Sequence, residues 1–113
     1  MVEIYSKRVK GDQSQIELYA FRKNKNREGR FEKDGFVYDH IGYCEDSFYT
    51  IRFVDNGIIG FDEDGDVFMT DDVSDALQTA EDLWEGGFSV VVEEWIIDGR
   101  NPLKGKVIVE YIK

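Results

Sequence analysis

Residues 71–87, DDVSDALQTAEDLWEGG, decide how the rest of the chain is read. Val73, Ala76, Leu77, Ala80, Leu83 and Trp84 recur at three- and four-residue intervals, the spacing that stacks side chains on one face of an α-helix. Asp71 or Asp72 supplies an N-cap, and carboxylates in the first turn suit the positive end of the helix dipole. Gly86-Gly87 supplies the stop. The spacing predicts one amphipathic helix over about 72–85, with Asp75, Gln78, Glu81, Asp82 and Glu85 on its outer face.

Everything around that helix reads as strand and turn. After it, residues 88–97 (FSVVVEEWII) and 106–112 (KVIVEYI) are rich in β-branched and aromatic side chains and predict a C-terminal hairpin closed by a loop over 98–105. Before it, residues 47–54 (SFYTIRFV) run into Asp55-Asn56-Gly57, a tight-turn signal, after which 58–61 pairs back. DEDGD at 62–66 marks a second turn, and 67–69 a further short strand, so the middle of the chain reads as a meander. Residues 36–44, 16–22 and 2–9 complete the set. Alternation of Ile16, Leu18 and Ala20 against Glu17, Tyr19 and Phe21 predicts a hairpin between 2–9 and 16–22. Residues 23–35 (KNKNREGRFEKDG) are polar and lack periodicity apart from Phe31, which predicts a mobile, solvated loop. The expected fold is therefore α+β: a mainly antiparallel sheet of about seven to eight short strands, with one helix packed on one face. The uncovered face is left to water or to a partner. A length of 113 residues fits a single domain over 1–113.

Charge is distributed unevenly along this framework. The net charge is −10. Residues 1–34 carry nine basic side chains against six acids, a net of +3, and residues 99–113 carry four bases against one acid, again +3. Between them, residues 35–98 carry seventeen acids and only Arg52, a net of −16. Asp62, Glu63, Asp64, Asp66, Asp71, Asp72, Asp75, Glu81, Asp82 and Glu85 form a run of ten acids with no base among them. An acidic body repels nucleic acid and anionic lipid and attracts basic proteins.

The residue types that carry chemistry are sparse. DEDGD offers Asp62, Asp64 and Asp66 as oxygen ligands, but the glycine stands fourth rather than sixth and Val73 stands where a calcium loop needs its bidentate Glu. The motif reads as a soluble hairpin turn. His40 and Cys44 would share a face of an extended strand, roughly 13 Å apart at about 3.3 Å per residue, which is far beyond proton-transfer reach. A single cysteine forms no internal disulfide, and one His with one Cys builds no zinc site. The glycines at 57 and 60 belong to a hairpin rather than to a phosphate loop. No catalytic residue, metal site or cofactor is expected. Trp84 closes the helix stripe and reads as core, whereas Trp95 reads as lying under the helix or on the open sheet face. On that face it would act as a binding anchor, a question shared by Tyr5, Tyr19, Phe21, Tyr38, Tyr43, Phe48 and Tyr49.

These features predict a binding protein rather than an enzyme. The ten acids are the expected contact set, meeting Lys and Arg on a basic partner such as a nuclease or other nucleic-acid enzyme. The expected role is that of an inhibitor or nucleic-acid mimic of the phage or mobile-element anti-defence type, acting in the cytoplasm without touching nucleic acid or membrane itself. A toxin-immunity protein, or a small-ligand domain using the uncovered sheet face, is the alternative.

Overall fold

The computed structural model describes residues 1–23 and 29–113. Its order is β1 (Val2–Val9), β2 (Glu17–Arg22), β3 (Arg30–Lys33), β4 (Phe36–Cys44), β5 (Ser47–Phe53), α1 (Val73–Glu85), β6 (Val90–Ile96) and β7 (Gly105–Tyr111). Seven antiparallel strands and one helix make the expected small α+β fold, but the strands form two sheets. The N-terminal sheet has the order β2-β1-β4-β3 and the C-terminal sheet the order β5-β6-β7. The division falls between Cys44 and Ser47 for a simple reason. Both edges of β4 are already occupied, by β1 and by β3, so β5 cannot continue the meander and pairs with β6 instead.

β3 lies inside the stretch that composition predicts as loop. It pairs with β4 from Arg30↔Asp39 to Lys33↔Phe36, across Asp34 and Gly35, both at positive φ (55° and 85°). Asp-Gly is the dipeptide that supplies two such residues in a tight hairpin. Tertiary pairing with a strong strand overrides the polar composition of RFEK. The remainder of that predicted loop, residues 24–28, lies outside the described residues. Residues 58–61 and 67–69 contribute only isolated bridges, Arg52↔Ile59, Phe61↔Val67 and Tyr49↔Thr70. They nonetheless line the free edge of β5, since Gly60 N–H donates to Ile51 O and Thr70 N–H to Tyr49 O.

Two apolar clusters result. Ala76 and Ala80 are fully buried, and their small side chains let α1 lie close on Ile51, Val90 and Val92 of the C-terminal sheet. The opposite face of that sheet meets the inner face of the N-terminal sheet through Ile4, Leu18, Cys44, Phe48, Ile59, Val67, Trp95 and Leu103. Each large side chain fully buried here is worth about 1.5–3 kcal/mol. Trp95, 5% exposed, is thus neither under the helix nor an open-face anchor. Its indole stacks on Phe48 with centroids 6.0 Å apart and donates its N–H to Thr50 Oγ1 at 2.8 Å. Trp84 is half-buried and works as a tether, donating its indole N–H to the Ile112 carbonyl at 3.2 Å, with the Lys113 ammonium 4.5 Å from its ring centroid. No helix among the described residues is long and apolar enough to cross a membrane.

The Trp95 ring lies flat on Gly105. A Cβ added there would sit 2.7–2.8 Å from two ring atoms. The ring is rigid and buried, so Gly105→Ala is expected to cost about 1–3 kcal/mol. Gly42→Ala meets instead the flexible end of Met69, whose sulfur lies 2.7 Å from the added Cβ, and should cost less. Urea denaturation of the two variants checks the order, and an equal loss would contradict the role given to Trp95.

Candidate functional site

All ten acids expected to meet a partner are exposed, and none lies within ion-pair distance of a Lys or Arg among the described residues. The fold divides them into two groups. Asp62, Glu63, Asp64 and Asp66 sit on the turn between the Phe61↔Val67 bridge partners. Here Asp62 is consumed by the turn itself, its Oδ1 accepting the backbone N–H groups of Asp64 and Asp66 at 3.0 Å. Asp71 and Asp72 precede α1, and Asp72 is the N-cap, accepting Ser74 N–H at 2.9 Å. Asp75, Glu81, Asp82 and Glu85 then share one arc of α1 with Gln78, opposite Ala76, Ala80 and Leu83, at about 3.6 residues per turn. Gln78 Nε2 donates to Asp82 Oδ1 at 3.0 Å and holds that carboxylate in place.

Arg8 and Arg30 do not reach the helix acids. Both lie on Asp39, at 3.6 and 3.8 Å, within their own sheet. Asp64 and Asp66 line the far side of the same cleft, of about 250 Å3. Although Asp66 stays exposed, partial desolvation, followed by Asp62, Asp39 and Asp64, raises its pKa. The last turn of α1 has no basic residue. Glu81, Asp82 and Glu85 therefore crowd the negative end of the helix dipole, which disfavours each carboxylate by about 0.3–1 kcal/mol. Glu81 and Glu85, four residues apart, add mutual repulsion. Stability alone would not place three acids there.

A second surface is aromatic. On the face of the N-terminal sheet turned away from the core, the register aligns Tyr5 with Tyr19 and His40, and Lys7 with Tyr38. Phe21, Phe31 and Tyr43 join them. α1 packs on β5, β6 and β7 and leaves this face uncovered. The rings cover one another instead. Tyr38 stacks on Phe31 at 4.6 Å and Tyr19 on Phe21 at 5.9 Å, which leaves Tyr5 only 1% exposed. Lys7 lies 4.1 Å from the Phe36 ring centroid and donates to Tyr19 Oη at 3.4 Å. Of the aromatic set read from the sequence, Phe48 belongs to the core and Tyr49 to the helix-covered sheet. Phe31 and His40 were missed, Phe31 because it stands alone in a polar stretch.

His40 and Cys44 do not share a face. The β1–β4 register shifts between Ile4 and Tyr5, inserting Ile41 between the partners Gly42 and His40. This bulge reverses the alternation. His40 packs edge-on against Tyr5, outward, with Nε2 buried and unbonded among the described residues, while Cys44 enters the inter-sheet core. Burial pushes the Cys44 thiol up to about 11, with Asp71 and Asp46 adding to the shift. The described residues contain no group of three His, Cys, Asp or Glu side chains placed to hold a metal ion.

Two outcomes are expected. In the native protein Cys44 resists iodoacetamide at mildly alkaline pH and is alkylated only in denaturant, as mass spectrometry will show; rapid native labelling would contradict its placement. For Asp66, a raised folded-state pKa means that folding penalises the ionised form. The penalty is absent below the ordinary value of 3.8 and complete above the folded-state value. Asp66→Asn should raise the urea midpoint at neutral pH, and the gain should vanish as pH falls through the carboxylate range. A gain independent of pH would contradict the electrostatic cause.

No protein-family model, no curated protein and no solved structure matches this chain.

Proposed function

We propose that the protein acts by binding a basic macromolecular partner through the acidic stripe of α1, as an inhibitor that occupies a groove built for nucleic-acid phosphates. One observation carries this reading: Asp75, Glu81, Asp82 and Glu85 lie on a single outward arc with no basic partner among the described residues. Asp75 to Glu85 spans about 15 Å at 1.5 Å per residue. That is about the length of four or five phosphates along one strand of a duplex. Unscreened carboxylates on a rigid helix steer a basic protein toward the complex and give the association its salt dependence. The exposed acids of the turn over 62–66 form a separate patch beside the N-terminal sheet. The same chemistry suits an immunity protein that neutralises a basic nuclease toxin. A buried, uncharged thiol at Cys44 suits a reducing cytoplasm, where such an inhibitor would meet its target.

The aromatic face supports a second reading, capture of a small ligand against Tyr38, Phe31 and Tyr43, with Lys7 at its edge. Its rings pack mainly on one another, so the helix stripe is the better supported surface.

The test is inhibition of purified DNA- and RNA-cleaving enzymes by the protein and by its Asp75→Asn, Glu81→Gln, Asp82→Asn, Glu85→Gln variant. The wild type should inhibit at least one basic enzyme at low salt and lose potency as salt rises. The variant should lose potency by about tenfold or more. It should be no less stable, because removing Glu81, Asp82 and Glu85 charge from the negative end of the helix dipole offsets the loss of Asp75 from its first turn, as an unchanged or raised urea midpoint will show. Loss of inhibition then cannot be blamed on unfolding. Inhibition that survives high salt, or that the variant retains, would contradict the proposal.

A further inference from the structure

The connection between β6 and β7 is an arm docked on the other sheet. The Asn101 carboxamide bonds both backbone groups of Ala20, accepting its N–H and donating to its carbonyl, each at 2.9 Å. Leu103 N–H donates to the Leu18 carbonyl at 2.8 Å, and the Leu103 side chain is buried in the inter-sheet core. The arm is thereby fixed away from the end of its own hairpin, and the space between them is a cavity of about 530 Å3. That volume lies within the range of about 300–1,000 Å3 typical of small-molecule sites.

The lining has a definite chemical character. Ile96 is 58% exposed, an aliphatic side chain turned outward into the cavity, and Pro102 adds apolar surface from the arm. Lys104 and Lys106 also line it, and neither has a carboxylate within ion-pair distance among the described residues. Of the two lining carboxylates, Asp98 is paired with Arg100 and Glu94 keeps its charge. Asp98 accepts three bonds from Arg100, from the backbone N–H at 3.1 Å and from Nε and Nη2 at 3.0 and 2.6 Å. Glu94 accepts the Tyr49 hydroxyl at 3.1 Å. Arg100, Lys104 and Lys106 against Asp98 and Glu94 nevertheless leave the lining with one net positive charge, in a chain of net charge −10.

We infer that this cavity binds a small organic anion, a carboxylate, sulfonate or phosphate monoester carried on a flat apolar body. The body rests on Ile96 and Pro102, and the anionic group meets the ammonium groups of Lys104 and Lys106. Because the arm is held by hydrogen bonds to β2, its backbone is in place before the ligand arrives, and only the Lys104 and Lys106 side chains need ordering. It stands apart from the α1 stripe, so it neither supports nor depends on the inhibitor reading.

The probe is 8-anilinonaphthalene-1-sulfonate, titrated by fluorescence into the native protein. Saturable one-to-one binding that weakens with salt is expected. Lys104→Glu with Lys106→Glu should weaken it by about tenfold. Ile96→Lys should also weaken it, through loss of the apolar floor. All three positions are exposed, and an unchanged urea midpoint will confirm that the variants fold. The uncharged parent, N-phenyl-1-naphthylamine, should bind more weakly than the sulfonate. Absence of saturable binding, equal affinity in wild type and both variants, or equal affinity for the uncharged parent would each overturn the assignment.

Discussion

The indole of Trp95 is the joint on which this structure depends. It stacks nearly parallel to Phe48, at 5°, donates to the buried Thr50 hydroxyl, and presses its flat face against Gly105. Those contacts span β5, β6 and β7 at the one end of the C-terminal sheet that meets the N-terminal sheet. Ile4, Leu18 and Cys44 complete the contact from the other side. A large planar side chain suits this place because it fills the space between two sheets while its single polar atom finds a partner in Thr50. Leu103 adds a second pin, and its arm closes the outer edge of β2 through the Leu103 N–H and the Asn101 carboxamide, which satisfy backbone groups that would otherwise face water.

Joining two sheets in this way keeps the charges of the chain apart. Basic residues near the N-terminus are spent within their own sheet, Lys7 on Glu17, Arg8 and Arg30 on Asp39, and Lys10 on Glu32. The helix lies across the other sheet, and its carboxylates have no Lys or Arg within ion-pair distance among the described residues. A helix so loaded is held mainly by burial of Ala76, Ala80, Leu77 and Leu83 against Ile51, Val90 and Val92, since its own electrostatics oppose it. The molecule therefore carries negative potential on α1 that burial elsewhere sustains.

Local signals were legible in the sequence and topological ones were not. The apolar spacing of Val73 to Trp84, an aspartate cap and Gly86-Gly87 placed the helix within a residue of its observed bounds, the hairpin of β1 with β2 followed from alternation, and that of β6 with β7 from two β-branched and aromatic segments joined by a loop. The split into two sheets depends on which edges of β4 are taken, and no local pattern records that. β3 escaped because Phe31 is its only apolar residue, although Asp34-Gly35 signalled the turn beside it. Exposure of the ten acids followed from their polarity. Their division between a turn and a helix, and the absence of described bases beside them, required the fold. The cavity at the β6–β7 arm joins Ile96 to Lys104 and Lys106 by way of Asn101 reaching Ala20, 81 positions away, a contact no window of sequence displays.

The most direct test of the central claim, an acidic surface that the chain itself does not neutralise, is the dependence of folding stability on ionic strength. Like charges on α1 repel one another, as do those on the turn over 62–66, and salt screens that repulsion over about 10 Å at 0.1 M. Urea midpoints measured from low to moderate sodium chloride should therefore rise, because the native state gains more from screening than the expanded chain. A midpoint that stays level or falls with added salt would mean that the carboxylates are balanced by the protein's own cations, and would contradict the account.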